Sequence, residues 1–192
     1  MVLLTGRNRP GDRMAKILFV HYYDLPLEEF LEVVFKHKKE AKDLLKLPNL
    51  KDREELERYE DDSVIRTTVR YYATGFIPPA ARRFVSLEML SWLEYSTWHK
   101  DGLYWDWRVT PHFFSEFVDC GGRMNLMADG ARTKRVTEGY LRIKAPVIGE
   151  LGERVILDHL KRNLDLEVDL FHERIRRIRE KQRLAGENCD GG

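Results

Sequence analysis

The sequence predicts an α+β fold: a curved antiparallel β-sheet of about six or seven strands wrapped around a long C-terminal α-helix, with one or two short helices after the first strand. Three observations carry this. Asp101-Gly102 and Asp129-Gly130 each stand between alternating runs rich in β-formers, a strong hairpin signal. Beyond Pro146, Leu157, Leu160, Leu164, Val168, Phe171, Ile175 and Ile178 recur at three-four spacing along one helical face. Helical patterns lie near the ends of the chain and strand patterns fill its middle.

Residues 15–23, AKILFVHYY, read as the first strand. Asp24 offers an N-cap, Pro26 an early helical position, and Glu28 and Glu29 first-turn negative charge, so residues 25–35 are expected to be helical. KHKKEAKDLLKL continues as a second helix ending before Pro48, its lysines a solvated face. REELERYEDD and SVIRTTVRYYATG alternate with period two and are broken at Asp61-Asp62-Ser63. FIPPAARRFV holds Pro78-Pro79, which a central strand cannot accommodate, and is a connection. SWLEYSTWH with LYWDWRVTP, and EFVDCGGRMNLMA with ARTKRVTEGYLRIKA, supply the two hairpins.

Composition excludes several classes. Among 192 residues, 33 Lys and Arg balance 32 Asp and Glu, so the strongly basic footprint of a nucleic-acid binder is absent. The two cysteines, Cys120 and Cys189, make neither a disulfide framework nor a four-cysteine zinc site. MVLLTGRNRPGDR is too poor in apolar residues for a signal-peptide core, and no apolar run approaches the roughly 20 residues of a membrane helix. The expectation is a cytoplasmic protein without an integral membrane segment. Residues 1–13 are expected as a disordered arm, 14–181 as one ligand-binding domain and 182–192 as a flexible tail.

Two-residue turns fix pairing, so each hairpin predicts cross-strand partners. In the first, Trp98 faces Trp105, Ser96 faces Trp107 and Glu94 faces Val109, which gathers Trp92, Glu94, Trp98, Trp105 and Trp107 on one face. In the second, Met124 faces Arg135, Leu126 faces Thr133 and Cys120 faces Gly139; Arg135 is the charge on an otherwise apolar or small face. A wide curved sheet under a single helix leaves interior space, and apolar cavities with a few polar groups hold small ligands.

The chain resembles the START-like superfamily of polyketide cyclases and lipid-transfer proteins (SRPBCC, helix-grip fold) over about residues 14–178. The resemblance rests on HYYDLPLEEFLEVVF, the paired Asp-Gly hairpins and KAPVIGELGERVILDHLKRNLDLE, where a Pro-hydrophobic-x-Gly turn opens the long helix. WLEYSTW, DGLYWDWRVTP and KAPVIGELGE most resemble a branch described as a domain of unknown function. The resemblance implies a fold and an apolar ligand class. The active-site patterns of the enzymatic branches are not found, nor is the iron-binding histidine pair with a carboxylate of the ring-hydroxylating oxygenases.

The candidate ligand-binding residues are Trp92, Glu94, Trp98, Trp105, Trp107, Arg135, His159 and Asn163. Glu94, a carboxylate among indoles, is the candidate catalytic acid or base, and equally a ligand anchor or a structural partner of Arg135. Arg135 offers a bidentate fork for an anion, or snorkels to the rim. His159 and Asn163 flank the helix stripe one turn apart. The four tryptophans either wall a pocket or fill it. His99, Asp106 and His112 meet no metal-ligand spacing, so no metal and no cofactor is expected. Cys120 has no histidine placed beside it. Phe76, Ile77, Pro78 and Pro79, with Phe113 and Phe114, form an apolar lip that leaves room for transient membrane contact.

Three readings stay open. The first is non-enzymatic binding or transfer of an apolar or aromatic small molecule, such as a lipid, quinone or polyketide-like compound. The second is a cyclase/aromatase- or dehydratase-type enzyme with Glu94 as acid/base. The third is a protein-interaction module using the outer sheet face or the Arg-rich helix end, Arg174 to Arg183.

Overall fold

Among the described residues seven strands form one antiparallel sheet, and its order follows from the hairpins. In the computed structural model, residues 14–36, 50–73, 86, 91–145 and 149–187 are described. The chain runs β1 (Ala15–Tyr23), α1 (Leu27–Lys36), β2 (Leu50–Glu60), β3 (Val64–Ala73), β4 (Ser91–His99), β5 (Tyr104–Pro111), a 3-10 turn (Ser115–Phe117), β6 (Val118–Asp129), β7 (Arg132–Ile143) and α2 (Gly149–Glu187). The sheet order is β1-β7-β6-β5-β4-β3-β2, a meander from β2 to β7 closed by β1 beside β7. This is the predicted helix-grip architecture. The second short helix, the Pro78-Pro79 connection, the N-terminal arm and Cys189 lie outside the described residues.

Local chemistry sets the turns. At the β2–β3 turn, Asp61 Oδ1 accepts from the Ser63 and Val64 backbone N–H groups, each at 2.8 Å, and holds the break that Asp61-Asp62-Ser63 predicts. In the first hairpin the predicted register holds, with Trp98 opposite Trp105 and Glu94 opposite Val109. The loop is longer than two residues, because His99 and Tyr104 are the last pair and Leu103 takes the left-handed conformation (φ 52°). In the second hairpin the partners are corrected by two residues: Leu126 faces Arg135, Met124 faces Thr137 and Cys120 faces Leu141. Gly130, at φ +62°, takes the first central turn position, which leaves Asp129 to pair with Arg132. A shift of two preserves every face assignment.

Helix α1 begins later than predicted. Pro26 occupies the cap position, its carbonyl accepting from Phe30 N–H at 2.9 Å. Asp24 is therefore not the N-cap; its backbone N–H donates to His172 of α2 at 3.2 Å. The far end of α1 is tied to α2 by the buried Arg174, which donates to the Val33 carbonyl at 2.6 Å. That cation meets one of the last-turn carbonyls that a helix leaves unpaired.

The start of α2 explains the Gly-Glu-Leu-Gly-Glu sequence. A Cβ on Gly149 would stand 2.5 Å from the Ile143 carbonyl oxygen, and one on Gly152 would stand 2.9 Å from the Ile143 side chain. Glu153 then accepts the Ile143 N–H at 2.8 Å, stitching the first turn of the helix to the end of β7.

Two apolar clusters hold the helices on the sheet. One joins Tyr23, Leu25, Phe30, Val33, Ile65, Trp98, Leu126 and Ile175; the other joins Ile17, Phe19, Cys120 and Leu141 to Leu157, Leu160 and Leu164 of α2. Between them runs a polar clamp. Arg135, 3% exposed on β7, donates to Glu167 of α2 at 3.1 Å and contacts His21 Nδ1 at 3.5 Å. His21 Nε2 meets Asp165 of α2 at 3.1 Å. With an arginine at Nδ1, the imidazole accepts there and donates from Nε2, which is the neutral form.

Burial, and next the charge of Arg135, hold the His21 pKa below its usual value, although Asp165 and Glu167 pull it upward. An unfolded chain protonates this residue near pH 6.5, whereas the folded protein resists until a lower pH. The stabilisation is thus present above about pH 6.5 and is lost as pH falls toward the lowered folded value. Urea midpoints measured from pH 7.5 down to pH 5 will decline, and the decline will be shallower in His21→Gln; equal slopes would remove His21 as the cause. Gly149→Ala is expected to cost about 1–3 kcal/mol by forcing a side chain against the Ile143 carbonyl, read as a lower denaturation midpoint.

Candidate functional site

Strand alternation and the observed registers define the concave face. It carries Ile17, Phe19, His21 and Tyr23 from β1, and Thr133, Arg135, Thr137, Gly139 and Leu141 from β7. Cys120, Gly122, Met124 and Leu126 follow on β6, then Trp105, Trp107 and Val109 on β5. Trp92, Glu94, Ser96 and Trp98 lie on β4, Ile65, Thr67, Val69 and Tyr71 on β3, and Arg53 on β2. All predicted sheet residues therefore share one face, as the hairpins imply.

The four indoles do different things. Trp98, 4% exposed, packs against Trp105 with ring centroids 4.0 Å apart, and Phe35 of α1 lies over both. Those two indoles belong to the core. Trp92 stacks on Tyr71 at 5.4 Å, and Tyr71 in turn accepts a hydrogen bond from Arg53 Nε at 3.3 Å. Trp107 lies over the sheet where Gly122 and Gly139 face each other; a Cβ on Gly139 would stand 2.8 Å from its ring. Gly139 leaves the space that this indole occupies, whereas a Cβ on Gly122 would run into the Glu138 carbonyl oxygen of β7.

Glu94 is set deep on this face yet keeps partial solvent access. Burial raises its pKa above the ordinary value; the Arg53 guanidinium opposes the shift and the Glu167 carboxylate adds to it. The neighbouring Tyr71 is pushed up to about 12, by burial first and then by the Glu94 charge. The expected alternative of a Glu94–Arg135 ion pair is not formed, because Arg135 is taken by Glu167. Cys120 is buried, and burial pushes its thiol up to about 12, so it is no nucleophile at neutral pH.

His159 and Asn163 are half-buried one turn apart on α2, and Glu167 one turn further is the residue that reaches Arg135. On the outer face, Asp106 is engaged by Arg123 at 2.7 and 3.1 Å and by His99 at 3.2 Å. Among the described residues no group of three or more His, Cys, Asp or Glu could hold a metal ion. The Arg-rich helix end is an ion-pair ladder: Arg176 and Arg177 bind Glu173, Arg179 binds Glu29 and Arg183 binds Glu180. Phe113 and Phe114 are exposed. No described helix is long and apolar enough to cross a membrane.

The sequence reading missed His21, Tyr23, Thr137, Arg53 and Glu167. The alternation of AKILFVHYY put His21 and Tyr23 on the Ile17 and Phe19 face, so the first two carried a usable signal. Thr137 already stands on the shared face of the second hairpin, whereas Arg53 and Glu167 depend on β2 register and helix rotation.

A recess of about 620 Å³ also opens along β2–β5. Thr67, Ser96 and Trp107 of the concave face line it together with Tyr95, Asp106 and Arg108 of the outer face. Its lining comes from β2 to β5 and includes no residue of the Arg135 clamp.

Three solved structures share the fold. TTHA0849 from Thermus thermophilus is 18% identical, with a TM-score of 0.59 over 83% of this chain and 96% of that one. Zhui aromatase/cyclase from Streptomyces sp. R1128 is 15% identical, with a TM-score of 0.58 over 86% and 95%. Norcoclaurine synthase from Thalictrum flavum is 13% identical, with a TM-score of 0.54 over 91% and 97%. At such identities the likeness is one of fold, which is START-like. No curated protein matches the chain. The family described as "Protein of unknown function (DUF2505)" matches residues 19–175, and the chain belongs to that family.

Proposed function

We propose that the protein binds an apolar or aromatic small molecule against the concave face of β4 and β5, and holds or transfers it without converting it. The observation that carries this is uneven sealing of one continuous face. Ile17, Phe19 and Leu141, beneath α2, are buried, whereas the inward-facing Trp92, Glu94, Ser96, Trp107 and Val109 remain only half-buried. Helix α2 packs chiefly on β1 and β7. Half-covered indoles and a single carboxylate are the lining expected of a small-molecule site: mostly aromatic, with few polar groups. START-like neighbours that include an aromatase/cyclase agree with an apolar or aromatic ligand class.

A second reading has one observation in its favour. A carboxylate with a raised pKa beside an aromatic surface suits acid/base chemistry, which would make Glu94 the catalytic group of a cyclase or dehydratase.

Native mass spectrometry of protein purified from its own host is expected to show a bound small molecule. The fluorescent anion 1-anilinonaphthalene-8-sulfonate should brighten on binding and quench tryptophan emission. Neither signal in folded protein would count against the binding reading. Glu94→Gln separates the two readings: under binding alone affinity changes less than tenfold, whereas an enzyme loses turnover on its substrate by about a hundredfold or more.

A further inference from the structure

We infer that the outer face of the sheet carries a separate binding site for an aromatic anion, an aryl phosphate or aryl carboxylate, in a groove that crosses β2 to β5. Arg66 and Arg108 meet the anionic group there and Tyr95 meets the ring. The recess of about 620 Å³ is built from three successive cross-strand rows. Glu57, Thr68, Tyr95 and Arg108 stand opposite one another and make one wall. Tyr59, Arg66, Thr97 and Asp106 make the other. In the row between them, Arg58, Thr67, Ser96 and Trp107 turn their side chains toward the concave face, so their backbone is the floor.

The dimensions suit a flat ring. Walls two residues apart along each strand are separated by about 7 Å. That is roughly two van der Waals contact distances, so one planar ring fits between them. Four strands make the groove about 14 Å long. Tyr95, 43% exposed, has no ring contact among the described residues and leaves an aromatic surface for that ring.

Charge selects an anion. Asp106 is already engaged by Arg123 at 2.7 and 3.1 Å and by His99 at 3.2 Å, and Arg58 is paired with Glu60 at 2.7 Å. Arg66 lies over the Tyr59 ring at 5.5 Å, and Arg108 is directly opposite Tyr95. Both arginines are exposed, and neither forms an ion pair among the described residues. They approach Tyr95 from opposite walls, Arg108 across the β4–β5 pair and Arg66 on the diagonal across β3–β4. Guanidinium forks match the oxygens of a carboxylate or phosphate. Glu57 accepts from the Thr68 hydroxyl at 3.3 Å and stands at the β2 end, three strands from Arg108, so the anionic group belongs to the β3–β5 half.

Isothermal titration of the full chain with 2-naphthyl phosphate, 2-naphthoate, 2-naphthol and inorganic phosphate tests this. The better of the two aryl anions should bind about tenfold or more tighter than naphthol and than inorganic phosphate, and it names the anionic group. In NMR spectra it should shift the backbone amides of Thr67, Ser96 and Trp107 and leave the indole N–H signals of Trp92 and Trp107, on the concave face, in place. Arg66→Gln and Arg108→Gln should each weaken it by about fivefold and leave naphthol unchanged. Tyr95→Ser should remove its advantage over inorganic phosphate. An aryl anion that binds no tighter than naphthol, that shifts the indoles and not the floor amides, or that ignores both arginine variants overturns the inference. Inorganic phosphate binding as tightly also overturns it, in favour of a plain anion site. None of these outcomes touches the concave-face reading, which native mass spectrometry decides separately. Should a variant fail to fold, the probe ranking and the amide shifts of the unmodified protein decide alone.

Discussion

Helix α2 has to sit on a sheet far wider than itself, and the Arg135 clamp fixes where. A guanidinium standing in an apolar interior is tolerable only with its charge met and its donors filled. Glu167 does the first across 3.1 Å, and the His21 ring, set by Asp165, receives a second donor on the same side. Because Arg135 belongs to β7, His21 to β1, and both carboxylates to one stretch of α2, the helix is bound to that edge of the sheet. Apolar packing alone would let it slide, since leucines at 157, 160 and 164 offer similar surface at several registers. The clamp removes that freedom, and the half-buried face of β4 and β5 is its geometric consequence.

The glycines and tryptophans complete the same logic from the sheet. Gly139 on β7 removes a side chain where the sheet must admit the Trp107 ring, and Gly122 opposite it on β6 lets the two backbones approach. Trp98 and Trp105 instead join Phe35, so α1 closes this end of the sheet together with Phe171 and Ile175 of α2. The interior is sealed at its β1–β7 side by aliphatic packing and at its hairpin end by stacked aromatics. What remains between them is bounded by Trp92, Glu94 and Trp107.

Much of this was legible because hairpins are local. Asp101-Gly102 located the centre of the first hairpin even though the loop proved two residues longer, since lengthening a loop symmetrically leaves every pair in place. Asp129-Gly130 misplaced the second centre by one residue, and only parity protected the face assignment. Glu94 and Arg135 could thus be placed inward from the sequence, but not matched with partners. Their surroundings depend on the rotation of α2 about its axis and on the irregular pairing of β2 with β3, which carries register shifts between Leu50 and Asp52 and between Glu55 and Glu57. Both are long-range quantities to which alternation and three-four spacing are blind. Asp24 shows the same limit at short range: its residue type suits a cap, but the chain bends sharply at Leu25, and Pro26 stands at the helix start.

The electrostatics of the interior divide by strand. On the β7 side positive and negative charges are matched at contact distance, and the remaining polar atoms are mostly donors. On the β4 side stands a carboxylate that burial pushes toward its neutral form, with Arg53 acting from the rim and Tyr71 stacked on Trp92 beside it. A protonated Glu94 is itself a donor as well as an acceptor. In that state the concave face offers hydrogen-bond donors from both sides of an aromatic floor and no uncompensated charge. Ionising Glu94 would place a second carboxylate near Glu167, which is why both burial and that neighbour favour the neutral form.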